Sequence, residues 1–395
     1  MSILSRFSAS ISREGVLFVI SIYILCITGH ILLPASVIEG YVCNHQGNIL
    51  SYRLNGMLVY FAILLLYFQL PLHVQLIPYT HYFTVILTCH TIGILTSLYF
   101  FLTSKCEKYA ICMTRNHLDR EGKVMFEPPL APPSFIKYSF SAFYTGREWN
   151  PRIFNVDIKV LLYLIGAILL QINIFASALY QKYHDGHLTH AMIVYNVCFT
   201  WFIVEYLIGE RVHLYTYDFF AEKVGMKFCW GCLTFYPCFY CIGVFPLVDH
   251  IPLRDISLEM SIFVLLLYFL GWCITRGANM QKYYHRTNPQ QKYVIFGLIQ
   301  QEKSPDTRIL VSGFWGIARH FNYFGEIMQS IAVSIPGVVV GAGWLRLIPL
   351  LYPLYYLLLF VPRQLDDDFI CKQKYGEAWD AYVEKVPWRI CPGIW

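Results

Sequence analysis

Cationic side chains follow the end of one strongly apolar stretch at intervals that suit anion binding. Residues 271–286 read GWCITRGANMQKYYHR, and Arg276, Lys282 and Arg286 are spaced as on one helix that leaves a membrane. A dinucleotide with an extra ribose phosphate needs several such donors, and arginine can bind phosphate in bidentate fashion. The same charges are also typical of a basic flank on the cytoplasmic side of a span.

A second group of polar and aromatic side chains lies in residues 310–330, directly before another apolar run. Arg319, Tyr323 and Glu326 would share one face of a helix. Ionisable residues that enter a membrane segment are energetically costly and usually mark function. We therefore interpret this segment as part of a binding site. Its polar and aromatic positions are Trp315, Arg319, His320, Asn322, Tyr323 and Glu326.

The third piece is the run PRQLDDDFICKQKYGEAWDAYVEKVPWRICPGIW. Arg363 and Asp367 are four residues apart and could pair along a helix, or the carboxylate could hold the hydroxyls of a ribose. Tyr375, Trp379 and Tyr382 recur at helical spacing, which also fits an amphipathic helix at the membrane interface. The three basic pieces could converge on one anionic ligand. No Gly-x-Gly-x-x-Gly follows a predicted strand, so this is not a Rossmann site.

Membrane-spanning helices must position these residues. The chain has 395 residues, of which 56% are hydrophobic and 14% charged, whereas about 25% are charged in a soluble domain. Each spanning helix needs roughly 20 apolar residues, and open strand edges cannot face lipid. We expect an all-α, polytopic membrane helix bundle with about ten transmembrane helices. Candidate spans begin near Val16, Leu54, Phe83, Ile158, Met192, Phe228, Ile256, Ile327 and Leu347.

The charge and cysteine patterns argue against two other kinds of site. The net charge of +5 is small for this length, and no block of like charges suggests a nucleic-acid surface. Two C-x-x-C pairs, Cys229 with Cys232 and Cys238 with Cys241, lie within one hydrophobic stretch rather than on knuckle turns. We therefore expect buried thiols in a reducing compartment and no metal site.

These strings resemble the sterol reductase family, which includes sterol C-14, C-7 and C-24 reductases and the membrane domain of lamin B receptor. The most specific parts are GFWGIARHFNYFGE, ANMQK and KYGEAWDAYVEKVP, and the resemblance runs from about Pro34 onward. It implies a bundle of about ten membrane helices and NADPH as the cofactor. By position it implies a cofactor site of Lys282, Arg286, Trp315, Arg319, His320, Asn322, Tyr323, Arg363, Asp367 and Tyr375.

Two departures from the family pattern bear on this site. The family usually has an Arg-Asp pair in the tail, whereas Asp366 precedes Asp367 here, so the Arg of that pair is missing. The segment between residues 286 and 308 also looks short. We expect residues 1–255 to form the N-terminal helices and the sterol side of the bundle. Residues 256–395 would form the NADPH-binding half of the same integral membrane domain.

The resemblance implies NADPH-dependent reduction of a sterol carbon–carbon double bond, with the sterol entering from the bilayer. Residues 38–56, 189–197 and 310–328 look like the 7-dehydrocholesterol reductase branch, so the C-7 ring bond is the leading expectation. Residues 217–225 look more like the C-24(28) branch. The C-24(28) side-chain bond and the C-14 bond remain the alternatives.

The chemistry of an isolated ring alkene calls for an enzyme acid. The alkene is electron-rich, so it must be protonated before hydride can add, and the acid must lie within hydrogen-bond reach or one water of the alkene carbon. Our candidates for this catalytic acid are Tyr382 and Asp218, followed by Glu210, Tyr240 and His320.

Two further function classes stay open. Arg319-His320 and Val386-Pro387 also fit the pattern of membrane SAM-dependent methyltransferases of the isoprenylcysteine type, although that pattern normally has Pro where this chain has Phe321. The other class is an inactive sterol-binding protein that kept the fold. The family implies the endoplasmic reticulum in a eukaryote and the inner membrane in a bacterium.

Overall fold

A computed structural model gives the positions of most of the chain. Most of the segment between residues 286 and 308, which looks short in the sequence, lies outside the described residues. These are 11–104, 110–118, 123–125, 127–128, 130, 139–248, 254–287 and 309–395, with the backbone alone at 294–295 and 299–300.

Helices dominate the described chain, as predicted. The α-helices are α1 (Arg13–Leu32), α2 (Gly56–Gln69), α3 (Leu72–Gln75), α4 (Ile77–Thr80), α5 (Tyr82–Thr103), α6 (Phe140–Thr145), α7 (Ile158–Asp185), α8 (His190–Ile208), α9 (Glu210–His213), α10 (Tyr217–Phe220), α11 (Met226–Trp230), α12 (Phe245–Val248), α13 (Leu258–Thr287), α14 (Phe321–Val340), α15 (Leu351–Tyr375) and α16 (Glu377–Lys385). A π-helix, Gly231–Phe239, joins α11 to the 3₁₀ turn Tyr240–Val244. Further 3₁₀ turns lie at Arg115–His117, Gly313–Gly316 and Gly343–Leu350.

Eight of the described helical segments are long and apolar enough to cross a membrane. They are α1, α5, α7, α8, Met226–Val248, α13, α14 and Gly343–Tyr375, and the shorter apolar helix α2 adds to them. Every predicted span corresponds to one of these nine segments. The prediction of a polytopic helical membrane protein is confirmed, because hydropathy over some 20 residues is the signal that a bilayer imposes.

Short antiparallel hairpins interrupt the helices. In the first hairpin Ser36 pairs with Leu54, and the register becomes irregular after Glu39. The sequence prediction did not include these strands, which lie outside the spans. The strands are β1 (Ser36–Cys43), β2 (Ile49–Leu54), β3 (Arg152–Ile153), β4 (Val156–Asp157), β5 (Val294–Ile295) and β6 (Ile299–Gln300).

The chain divides into two compact units. The first consists of Met1–Leu188 and Phe199–Val244, and the second of Thr189–Cys198 and Phe245–Trp395. The predicted functional division into residues 1–255 and 256–395 stays a prediction.

In the first unit, side chains from three helices support the π-helix. The hydroxyl of Tyr23 on α1 donates to the carbonyl of Leu233. That of Tyr82 on α5 donates to the Cys238 carbonyl at 2.6 Å, and Asn173 on α7 donates its amide N–H to the Pro237 carbonyl at 2.7 Å. A buried backbone carbonyl without a hydrogen bond is costly. These donors therefore stabilise a helix type that is rare and often lies at functional sites.

In the second unit, α13 and α14 approach each other closely through small residues. A Cβ atom added at Gly325 would lie 2.4 Å from Thr275 Oγ1 and 2.5 Å from the Gly271 carbonyl oxygen. The Thr275 hydroxyl donates to the carbonyl of Asn322 at 3.1 Å across the same contact. Small residues permit such close packing of membrane helices. This contact fixes the position of α13 relative to the start of α14.

We predict that Gly325→Ala destabilises the protein by about 1–3 kcal/mol, because the new methyl group overpacks the contact between α13 and α14. Thermal unfolding in detergent would show a melting temperature several degrees lower. Gly231→Ala is the matched control, since a Cβ atom there meets nothing within 4 Å. Equal melting temperatures for the two variants would contradict the tight packing.

Candidate functional site

The buried guanidinium of Arg319 joins the tail of the second unit to the start of α14. Its Nη1 donates to the carbonyl of Val386 at 3.0 Å and to that of Pro387 at 3.3 Å. The backbone N–H of Arg319 also donates to the Trp388 carbonyl at 3.0 Å. The residue is only 3% exposed. A hydrogen bond from a charged donor contributes about 1.5–3 kcal/mol, so this contact is a strong constraint on the tail.

The prediction that Arg319 shares a helical face with Tyr323 and Glu326 was wrong. The helix begins at Phe321, and Arg319 precedes it. The physical reason is the pairing with the tail. His320 has φ −133° and donates its backbone N–H to the Arg389 carbonyl at 2.7 Å, so residues 319–320 adopt non-helical backbone.

Asp368 lies between two arginines at the centre of this junction. One of its carboxylate oxygens is 3.6 Å from Arg319 Nε and the other is 3.8 Å from Arg389 Nε. Asp368 and Arg389 were not predicted from the sequence, although the DDD run and the basic tail were available signals. Arg389 brings a cationic group to the turn in which Asp366 replaces the expected Arg.

His320 is a buried, uncharged imidazole. Its ring stacks on Tyr323 with 5.1 Å between centroids, and its Nδ1 lies 3.9 Å from an Asp367 oxygen. Burial lowers the pKa of His320 to about 4, although Asp367 acts in the opposite direction. His320 Nε2 and Asn322 Oδ1 are buried and meet no hydrogen-bond partner within the described part of the chain. Such atoms are suited to a polar ligand, because burying them unsatisfied is costly.

The cationic side of the site comes from α13. Lys282 Nζ lies 4.8 Å from the centroid of the Trp315 ring, within the range of a cation–π interaction. The indole N–H of Trp315 donates to the Ala278 carbonyl at 2.9 Å, which holds the ring against α13. Arg286 lies one turn beyond Lys282 on the same helix. The predicted sharing of α13 by Lys282 and Arg286 is confirmed.

The aromatic residues of the tail pack inward. Tyr382 is buried, its hydroxyl donates to the Trp315 carbonyl at 2.7 Å, and burial raises its pKa well above the usual value. Tyr375 ends α15 and stacks on Trp379 of α16 at 6.5 Å. Gly376 separates the two helices with a φ of +56°, a conformation that favours glycine. The interpretation of the three residues as one face of a single amphipathic helix was therefore wrong for Tyr375, and only Trp379 and Tyr382 share a helix.

The second unit contains the ten predicted cofactor residues and Tyr382, whereas Asp218 lies on α10 in the first unit. Contacts link Lys282 to Trp315 and Trp315 to Tyr382. Arg363 and Asp367 lie on α15. Within the described ranges, no group of three or more His, Cys, Asp or Glu side chains could hold a metal ion. Cations, stacked rings and buried polar atoms in one unit suit an anionic ligand with aromatic rings.

The chain is similar to known proteins over most of its length. The chain matches the Ergosterol biosynthesis ERG4/ERG24 family over residues 4–395. A Delta(14)-sterol reductase of Arabidopsis thaliana is 28% identical over 381 residues, which cover 94% of this chain and 93% of that protein. A Delta(14)-sterol reductase of Ascobolus immersus is 30% identical and covers 100% of this chain and 88% of its own length. A Probable 7-dehydrocholesterol reductase of Acanthamoeba polyphaga mimivirus is 30% identical, with 67% of this chain and 59% of that protein covered.

The buried His320 predicts a specific loss of stability in acid. Its folded pKa is about 4 against 6.5 for the free group, so the unfolded chain binds more protons between these values. Wild type should therefore lose on the order of 3 kcal/mol of unfolding free energy as pH falls from 6.5 to 4, and His320→Gln should not lose this part. Unfolding in detergent at several pH values measures the difference. His184→Gln, at an exposed site, is the control and should keep the wild-type slope.

Proposed function

This chain belongs to the Ergosterol biosynthesis ERG4/ERG24 family, a family of sterol reductases, and we propose that it reduces a carbon–carbon double bond of a sterol with NADPH. The family match over nearly the whole chain is the observation that carries the proposal. The second unit adds support, because it gathers cationic and aromatic side chains around buried, unsatisfied polar atoms. The protein is an integral, multi-pass membrane protein, and we expect it in the endoplasmic reticulum of a eukaryote or the inner membrane of a bacterium.

The position of the reduced bond separates two candidates. The sequence stretches at residues 38–56 and 310–328 favour the C-7 ring bond. Two of the relatives described above, which match nearly the whole chain, are named Delta(14)-sterol reductases, and these names favour C-14. We propose a ring double bond, with C-7 and C-14 as the substrates to compare first and the C-24(28) side-chain bond as the third.

The residues of the second unit fit NADPH. Lys282 and Arg286 would bind its phosphates, since both are cations on one helix face. His320 Nε2 and Asn322 Oδ1 would each gain a hydrogen-bond partner from a polar ligand. Asp367 would hold ribose hydroxyls through its carboxylate. When bound, NADPH supplies hydride; the chain's side chains orient the reactants and exclude water.

The proton must come from an acid of the chain. It adds to one alkene carbon, the acid is left as its conjugate base, and the carbocation on the neighbouring carbon accepts the hydride. We propose Asp218 ahead of Tyr382 for this role. The Tyr382 hydroxyl is committed to the Trp315 carbonyl, and burial raises its pKa, which makes it a weak acid. Asp218 is a partly exposed carboxylic acid on α10, a stronger acid by nature.

An NADPH-dependent turnover assay with the purified full chain tests the proposal. Sterols unsaturated at C-7, C-14 and C-24(28) are supplied in parallel, and mass spectrometry identifies the products. Reduction of one ring bond supports the proposal and identifies the bond. NADPH binding without turnover would favour an inactive sterol-binding protein. Absence of NADPH binding, together with binding of S-adenosylmethionine, would favour the methyltransferase class.

Lys282→Met should raise the KM for NADPH about tenfold, because one charge-assisted contact of roughly 1.5 kcal/mol is lost. The KM for the sterol should stay the same. The control is Lys372→Met, since Lys372 forms an exposed ion pair with Asp380 and such pairs contribute little. An equal effect of both variants on the NADPH KM would contradict the assignment of Lys282.

The acid assignment predicts opposite behaviour for two further variants. Asp218→Asn should lower kcat by at least about 100-fold, the usual contribution of a general acid. Tyr382→Phe should lower the unfolding free energy by about 1 kcal/mol through loss of one hydrogen bond, with kcat within a few fold of wild type. Steady-state kinetics and thermal unfolding measure both, and the reverse pattern would assign the acid to Tyr382.

A further inference from the structure

Lys159 is a fully buried lysine at an unfavourable position. It is 0% exposed and is the second residue of α7, two positions after the N-cap Asp157. The positive end of a helix dipole disfavours a cation there, and removal of an ammonium group from water is costly. A lysine at this place in the first unit must therefore make compensating contacts.

Those contacts are three backbone carbonyls of one short segment. Lys159 Nζ donates to the carbonyls of Asp218 at 2.7 Å, Phe219 at 3.2 Å and Glu222 at 2.6 Å. These carbonyls lie in α10 and just after its last residue, where helical carbonyls lack intrahelical partners. All three N–H groups of the ammonium are thereby satisfied. The lysine closes the segment at residues 218–222 as a C-terminal cap from another helix.

Aromatic rings and the hairpin hold the same segment from other sides. Lys159 Nζ lies 5.7 Å from the ring centroids of both Phe219 and Phe228. On the hairpin, the Tyr52 ring packs edge-on against Phe219 at 5.8 Å, and Tyr41 packs against Phe220 at 5.9 Å. The segment therefore has restricted freedom on each of these sides, with the ammonium as its central hydrogen-bonding group.

We propose that Lys159 is a positioning residue of the reaction, which fixes the backbone of α10 so that the Asp218 side chain is held in its working orientation. This role rests on the assignment of Asp218 as the acid. A displacement of about 1 Å in a reacting group can cost on the order of 100-fold in rate. A buried charge at the backbone of the acid is thus a means of reducing such displacement.

The ammonium also acts on the Asp218 carboxyl electrostatically. Tyr206 on α8 and Cys232 on the π-helix also interact with this carboxylate, and the carboxylates of Asp157 and Glu222 interact with the same ammonium. Among these groups Lys159 alone carries a positive charge, which favours the ionised carboxylate. Removal of that charge raises the pKa of Asp218. Since a general acid must be protonated to act, the high-pH limb of the rate profile should move to higher pH.

The test compares kcat/KM for the sterol against pH in wild type, Lys159→Met and Lys227→Met at saturating NADPH. Lys159→Met should lower kcat on the order of tenfold or more and move the high-pH limb upward. Lys227 forms a partly exposed ion pair with Glu222 near the same segment. Lys227→Met is the matched control and should keep the wild-type limb. A merely structural role for Lys159 would lower the melting temperature without moving the limb.

Lys159→Gln covers the case in which the methionine variant does not fold, because glutamine keeps two N–H donors and removes the charge. The same upward movement of the limb is expected. An unmoved limb in either folded Lys159 variant, with wild type active, overturns the positioning role alone. Full activity of Asp218→Asn overturns the acid assignment and this role with it. A wild-type chain that reduces no sterol overturns the proposed function.

Discussion

The hydrogen bonds of the Arg319 guanidinium to the carbonyls of Val386 and Pro387 are the contact on which the arrangement of the second unit depends. Because residues 319–320 pair with the tail, α14 does not extend to them and begins at Phe321. The same arginine approaches Asp368, so α15 is fixed to the junction as well. One buried cation thus relates three separate pieces of chain, and a neutral side chain in its place would leave several buried acceptors unsatisfied.

Contacts between helices connect this junction to the cationic residues of the site. The contact of Gly325 with Thr275 and Gly271 brings α13 against α14, and α13 carries Lys282 and Arg286. Trp315 then bridges the elements, because its indole N–H donates to the Ala278 carbonyl on α13 and its backbone carbonyl accepts the Tyr382 hydroxyl. The polar site therefore depends on apolar, closely packed helices. Side chains on such rigid elements are held more closely than side chains on loops.

The sequence was sufficient for features with a strong local signal. The nine apolar segments could be located because eight of them have about 20 apolar residues and α2 has a shorter apolar run, and the ANMQK and ARHFNY strings indicated the candidate site. The start of α14, the role of Asp368 and Arg389, and the hairpin Ser36–Leu54 were not predicted, since each depends on a partner distant in sequence. Lys159 gave no signal at all. It stands among apolar residues, and its acceptors are backbone carbonyls, which any sequence supplies.

The π-helix Gly231–Phe239 makes the packing of the first unit depend on the number of residues in this stretch as well as on their identities. Its turns hold more residues than α-helical turns, and Tyr23, Tyr82 and Asn173 fix them in one register. A π-helical turn holds its additional residue without turning the next helix through a full α-helical step. Deletion of one residue would therefore permit ordinary α-helical bonding and leave the residues after the π-helix facing nearly the same way. Within the stretch itself the side chains would take new directions, and the three buried donors would meet different carbonyls. A change of length here is thus felt locally, among residues whose identities have not changed.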